Sequence, residues 1–190
     1  MKHGIKRTNW AVGFAVVMLF CFTVILSLPK DAYAAGAVEL PKTGQTTSYF
    51  TGDDGDLRIG VAWPDPRFTV EADCVTDNLT GLMWVREPER ITLTWEDALT
   101  YANKLTLCGY SDWRLPNRKE LRSLINYGEA NTATWLNAQG FSNVQPNWYW
   151  SSTTSASYTD GAWVVDMWGG YVEFDPKVNK YLVWPVRAGQ

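Results

Sequence analysis

The chain has 190 residues, 46% hydrophobic, 14% aromatic and 19% charged, with a formal net charge of −3. So much apolar material with so little charge excludes disorder, collagen and coiled coil, and fits one domain plus an N-terminal extension. Eleven tryptophans stand against one histidine, His3, so the Ser-His-Asp triad, Cys-His pairs, His-ligated zinc and HExxH are excluded from the rest of the chain.

Lys2, Lys6 and Arg7 precede an uncharged apolar run from Trp10 to Leu28, and Ala32-Tyr33-Ala34 places small residues where a signal peptidase reads them. The expectation is a signal peptide over 1–34, cut before Ala35, in an exported protein that is periplasmic, cell-surface or extracellular. The run is long enough to span a bilayer, so the one membrane attachment expected is an uncleaved signal anchor. Loss of 1–34 removes Lys2, Lys6, Arg7, Lys30 and Asp31, taking 17 basic and 20 acidic residues to 13 and 19. A net −6 offers no global attraction to nucleic acid or anionic lipid.

Residues 35–49 lack periodicity and read as an extended lead-in, with the folded domain over 50–190. Residues 50–78 carry turn signals, among them Gly52-Asp53-Asp54-Gly55-Asp56 and Trp63-Pro64-Asp65-Pro66, which places the start of the compact part near Cys74. Gly81 to Val85 reads as a strand. Thr94 caps a helix with Asp97 in its third position, and Trp95, Ala98, Leu99, Ala102 and Leu105 share one face until Gly109. A second helix follows Pro116. Asn117 caps it, Glu120 completes a capping box, and Leu121, Leu124 and Ile125 form its buried stripe. Four strands are predicted over 148–152, 162–167, 171–174 and 181–187, with a hairpin at Gly169-Gly170. The fold class expected is α+β, two helices on one side of a short-stranded antiparallel sheet. Cys74 and Cys108, in an oxidising compartment without CxxC spacing, read as a disulfide.

Several strings are more specific than composition: Thr76 to Trp84, Trp95 with Ala98 and Ala102, Gly109 to Asn117 with Glu120-Leu121, Trp148 to Thr153, and Val186-Arg187. In that order they resemble the Lcl C-terminal domain family, the domain that ends the Legionella collagen-like adhesin, over at least residues 50–190. The resemblance implies an exported domain and a fold similar to the C-type-lectin-like and formylglycine-generating-enzyme-like group. For the adhesin alone it implies binding of sulfated polysaccharide; it implies no catalysis. This chain has no collagen-like Gly-X-Y tract, and its acidic balance argues against polyanions. Cys74 and Cys108 match no motif of the formylglycine-generating enzymes, so their copper chemistry is not carried over.

Asp112, Trp113 and Arg114 read as structural, with Arg114 stacking on a ring and pairing with a carboxylate to lock the loop; Trp84 and Trp95 read as core. Arg118, Lys119 and Arg122 lie on the polar arc of the second helix. They form either a solvated face or, with free N–H groups at the helix start, a seat for sulfate or carboxylate. Trp148 and Trp150 share one strand face and Tyr149 takes the other. A sheet hides this many rings only if both its faces are covered, so some are expected in water. Trp168 and Tyr171, flanking Gly169-Gly170, are the first choices, with Trp148 and Asn147 beside them as ligand-binding candidates. Gln145-Pro146-Asn147 and the Asp53, Asp54, Asp56 cluster lack the partners a calcium site needs, so neither metal nor cofactor is expected. The functional expectation is a non-catalytic module that binds extracellular glycan or a surface protein and admits oligomers. The alternatives are a histidine-free secreted hydrolase or modifying enzyme and a structural subunit of an envelope assembly.

Overall fold

The computed structural model describes Met1 and residues 40–189. The predicted signal segment and cleavage site, Met1 aside, lie outside the described residues, as does the lead-in before residue 40. No helix among the described residues is long and apolar enough to cross a membrane.

In chain order the elements are a single-turn helix α1 (Asp54–Leu57), strands β1 (Phe68–Glu71), β2 (Cys74–Asp77), β3 (Leu82–Val85) and β4 (Glu89–Leu93), and helices α2 (Trp95–Lys104), α3 (Arg118–Ser123) and α4 (Thr132–Ala138). Strands β5 (Trp148–Thr154), β6 (Gly161–Asp166), β7 (Val172–Pro176), β8 (Tyr181–Val183) and β9 (Val186–Ala188) complete them. The architecture is mixed α+β with two sheets and few helices. One sheet runs β1-β2-β3-β9 and the other β4-β8-β5-β6-β7. Every pair is antiparallel except β5 with β8.

The capping predictions hold. Thr94 accepts the Asp97 N–H at the start of α2, and at α3 both halves of the Asn117–Glu120 capping box are formed. These bonds span three residues, which is why they are legible locally. The Cys74–Cys108 disulfide forms and ties β2 to the loop after α2.

Several expectations need correcting. The compact part begins before Cys74, because Phe68 is buried and β1 pairs with β2. The lead-in is partly tied down: Lys42 N–H donates to Val61 C=O and Val61 N–H to Leu40 C=O. Helix α4 and strand β4 lack strong local signals and escaped prediction. The run 181–187 is two strands in different sheets. After β8 the chain crosses over at Trp184-Pro185, where proline has no N–H to offer a ladder. Trp184 fills the crossing, fully buried, its indole N–H donating to Val85 C=O at 2.8 Å.

The helices are not confined to one side. The larger core cluster lies between the sheets, joining Val75, Trp84 and Val186 to Tyr149, Val165 and Leu182, with Leu121 of α3, Leu124 at its C-terminal cap and Leu136 of α4. A second cluster on the other face of β5 and β6 packs Ala98 and Ala102 of α2 against Trp150, Val164 and Val183. Both faces of the five-stranded sheet are therefore covered over much of their area. Trp84, Trp113, Trp150 and Trp184 disappear into the interior.

Candidate binding surface on the β6–β7 hairpin

The hairpin register sets Trp163 opposite Phe174, so both rings share a sheet face. Their centroids lie 5.9 Å apart, edge to face. Tyr158 stacks on Phe174 at 5.0 Å and 8°. Where α3 covers this face, the Arg118 guanidinium sits 4.3 Å above the Trp163 ring, a cation–π contact of about 0.5–1 kcal/mol at an accessible site. Tyr158 and Phe174 stay exposed, and Trp163 is half-buried.

Five residues, Met167 to Tyr171, join β6 to β7, more than a two-residue Gly169-Gly170 turn would need. The Asp166 carboxylate accepts the N–H groups of Trp168 and Gly169 at 3.0 and 2.9 Å. Trp168 C=O accepts from Thr132 N–H, and Met167 C=O from Ala133 N–H, at the start of α4. Gly170 has φ +77°, and a Cβ there would fall 2.7 Å from Ile125 Cγ2. Glycine is needed because the turn runs hard against the chain leaving α3. A pinned backbone thus carries rings in water: Trp168 is 53% and Tyr171 60% exposed.

The structure brings some predicted site residues together and separates others. Arg118 joins the strip through Trp163, while Arg122 Nη2 donates to the exposed Tyr127 O–H at 3.4 Å. Asn147 adjoins the turn, its C=O accepting Met167 N–H, and its Oδ1 accepts Trp148 N–H. Trp148 is half-buried in the α2-facing cluster. The free N–H groups expected at the start of α3 are taken: Arg118 N–H donates to Thr153 Oγ1, and those of Lys119 and Glu120 to Asn117 Oδ1. Tyr158, Phe174 and Trp163 join the surface without having been singled out; period-two alternation in both hairpin strands was the signal that could have paired the last two.

Arg114 pairs bidentately with Glu120 at 2.8 and 2.7 Å, and no ring lies under it among the described cation–π contacts. The stacked arginine of this region is Arg187, 3.7 Å over Tyr110 and paired with Asp112 at 2.7 and 3.2 Å. Two ion pairs, not one, lock residues 110–120. Burial raises the Glu120 pKa, but the Arg114 pair and Asn117 N–H outweigh it and hold the carboxyl below its usual range. Asp112 is likewise lowered, chiefly by its hydrogen bond from Arg187. Trp113 and Trp84 are buried, and Trp95 is half-buried under the Lys177 ammonium, 4.2 Å from its ring.

No group of three or more His, Cys, Asp or Glu side chains is arranged to hold a metal among the described residues. The Asp53 cluster is a capped turn, with Asp53 accepting N–H groups from Tyr49, Phe50 and Asp56. A groove of 510 Å³ beside β4 is lined by Asp73, Glu87 and Glu89 but also by Arg86 and Arg90. Glu89 accepts the Tyr101 hydroxyl and Glu87 the Asn143 amide. No curated protein matches the chain. The family model of the Lcl C-terminal domain matches residues 73–187, which takes in the β6–β7 hairpin, α3 and both locking ion pairs and leaves 50–72 outside, and the chain belongs to that family.

Proposed function

We propose that the protein is an exported, non-catalytic binding module of the lectin-like fold group, working in the periplasm, at the cell surface or outside the cell. It binds extracellular glycan or a surface protein through the β6–β7 hairpin and the outer face of α3. The observation that carries this reading is the display of Trp168 and Tyr171 in water on a turn whose backbone is pinned by Asp166 and α4. Flat apolar rings with polar edges, held in advance, suit the faces of sugar rings and the hot spots of protein partners equally. Trp163 and Phe174 of the same hairpin, with Tyr158 of the β5–β6 loop and Arg118 of α3 against them, add a further aromatic strip.

A glycan array together with a pull-down from surface extracts, using the full chain beside Trp168→Ala and Arg118→Ala, tests it. The expected result is a ligand retained by the wild type and lost or weakened at least ten-fold in Trp168→Ala. A ligand held equally by both variants would remove the hairpin from the account.

A further inference from the structure

A second cavity, of 490 Å³ and lined by no residue of the hairpin, lies where the segment before β1 meets α4. Arg67 lines it while almost wholly buried, its side chain 4% exposed beside an Asp77 that is fully buried. Two of its nitrogens are occupied: Nε and Nη2 donate to Asp77, and Nη2 also to Ser123 C=O. Nη1 is buried and has no partner. A buried donor without an acceptor costs about 1–3 kcal/mol, and the side chain that carries it lines a space large enough for a small ligand.

The surroundings say what would fit. The guanidinium carbon lies 4.1 Å from the Trp63 ring and 5.6 Å from that of Trp135, so the walls are aromatic. Asp77 already neutralises Arg67. Around the cavity Lys42 and Arg58 are balanced by Asp65 and Glu129. Asn126 and Gln139 add side-chain amides, which both donate and accept. A site with one spare donor, aromatic walls and balanced charge calls for an uncharged acceptor oxygen on a small, partly apolar group.

We propose that the Arg67 cavity is a second ligand site, taking a secondary amide whose carbonyl oxygen accepts from Arg67 Nη1 while its carbon substituents pack on Trp63 and Trp135. The amide comes from the acetamido group of an amino sugar or from a peptide backbone. Trp63 lies over the Arg67 guanidinium and is held by its indole N–H to Lys42 C=O at 2.8 Å. It tilts aside to admit the ligand. Gly44 sits against this lid, where a Cβ would come 2.7 Å from the Trp63 ring.

Titrating the full chain with N-acetylglucosamine, with N-acetylglycine methylamide, and with glucosamine and acetate as controls tests the proposal, read by the indole N–H resonances and by thermal shift. The expected result is that one or both amides move the Trp63 and Trp135 resonances and raise the melting temperature, the two arms telling sugar from peptide. Trp168→Ala leaves that binding unchanged, so loss of the hairpin reading does not touch it. Arg67→Lys keeps a charge for Asp77 but lacks Nη1 and weakens binding at least ten-fold; Gln139→Ala, at an exposed position, weakens it several-fold and guards against a misfolded Arg67 variant. Silent Trp63 and Trp135 resonances in the wild type with both amides, or equal response to acetate, would overturn the proposal.

Discussion

Two aromatic assemblies in this molecule use the same geometry for opposite ends. Between the sheets, Trp184 meets Trp84, Phe141 and Tyr149 at centroid distances of 5.5, 5.2 and 5.5 Å, all out of water. At the β6–β7 hairpin, Phe174 meets Tyr158 of the β5–β6 loop at 5.0 Å and Trp163 at 5.9 Å, with Tyr158 and Phe174 exposed. Ring-to-ring attraction is of similar size in both, about 0.5–1.5 kcal/mol per pair. Only the interior set adds the free energy of leaving water, which is several times larger for rings of this size. The surface set leaves much of that area in water. The comparison teaches that an aromatic cluster reads as core or as platform from its covering, not from its contacts.

The contrast can be broken most severely at Trp184→Ala, which should destabilise the fold by roughly 3–5 kcal/mol, measured by chemical unfolding. A loss below about 1 kcal/mol would mean the crossing is not packed as described. Glu120→Gln, at the ion pair that anchors α3 and so presents Arg118, should cost about 1–2 kcal/mol. Its pH signature sharpens the test. The folded carboxyl is held below its unfolded value, so its stabilisation is complete above the unfolded value of about 4.3 and is lost as pH falls through the folded one. Unfolding curves from pH 7 to pH 3 should show the wild type losing that increment and the variant, which lacks the titrating group, not losing it.

Phe174→Ala should lower stability by no more than about 1 kcal/mol, because the residue is 44% exposed already. Trp168→Ala should lie within about 0.5 kcal/mol of wild type while abolishing ligand retention in the pull-down. Unfolding midpoints that fell as far for these two as for Trp184→Ala would erase the distinction between interior and platform.

The starts of α2 and α3 were readable because their caps are hydrogen bonds within one turn, at Thr94 with Asp97 and at Asn117 with Glu120, whereas α2 ends at Lys104, short of the expected Gly109. The exposure of Trp168 and Tyr171 was readable for a related reason: they flank a turn signal, and turn tips are hard to bury. Arg118 is legible as a basic side chain on a polar arc, but nothing near it in the chain points to Trp163, 45 positions on. Distance in sequence also hid the pairing of Asp112 with Arg187, 75 positions on, and no local pattern marked Arg67 as buried on Asp77.

By itself the sequence determined the capped helices, the disulfide partners, the aromatic excess and the family, since each is carried by residue identity and short spacing. Only the tertiary structure decided which rings are sealed and which are offered to water, that the last β run divides between two sheets at Trp184-Pro185, and that one arginine nitrogen is buried without an acceptor. Those outcomes depend on which distant segments come to cover a given face, and coverage is a property of packing in three dimensions that no local pattern encodes.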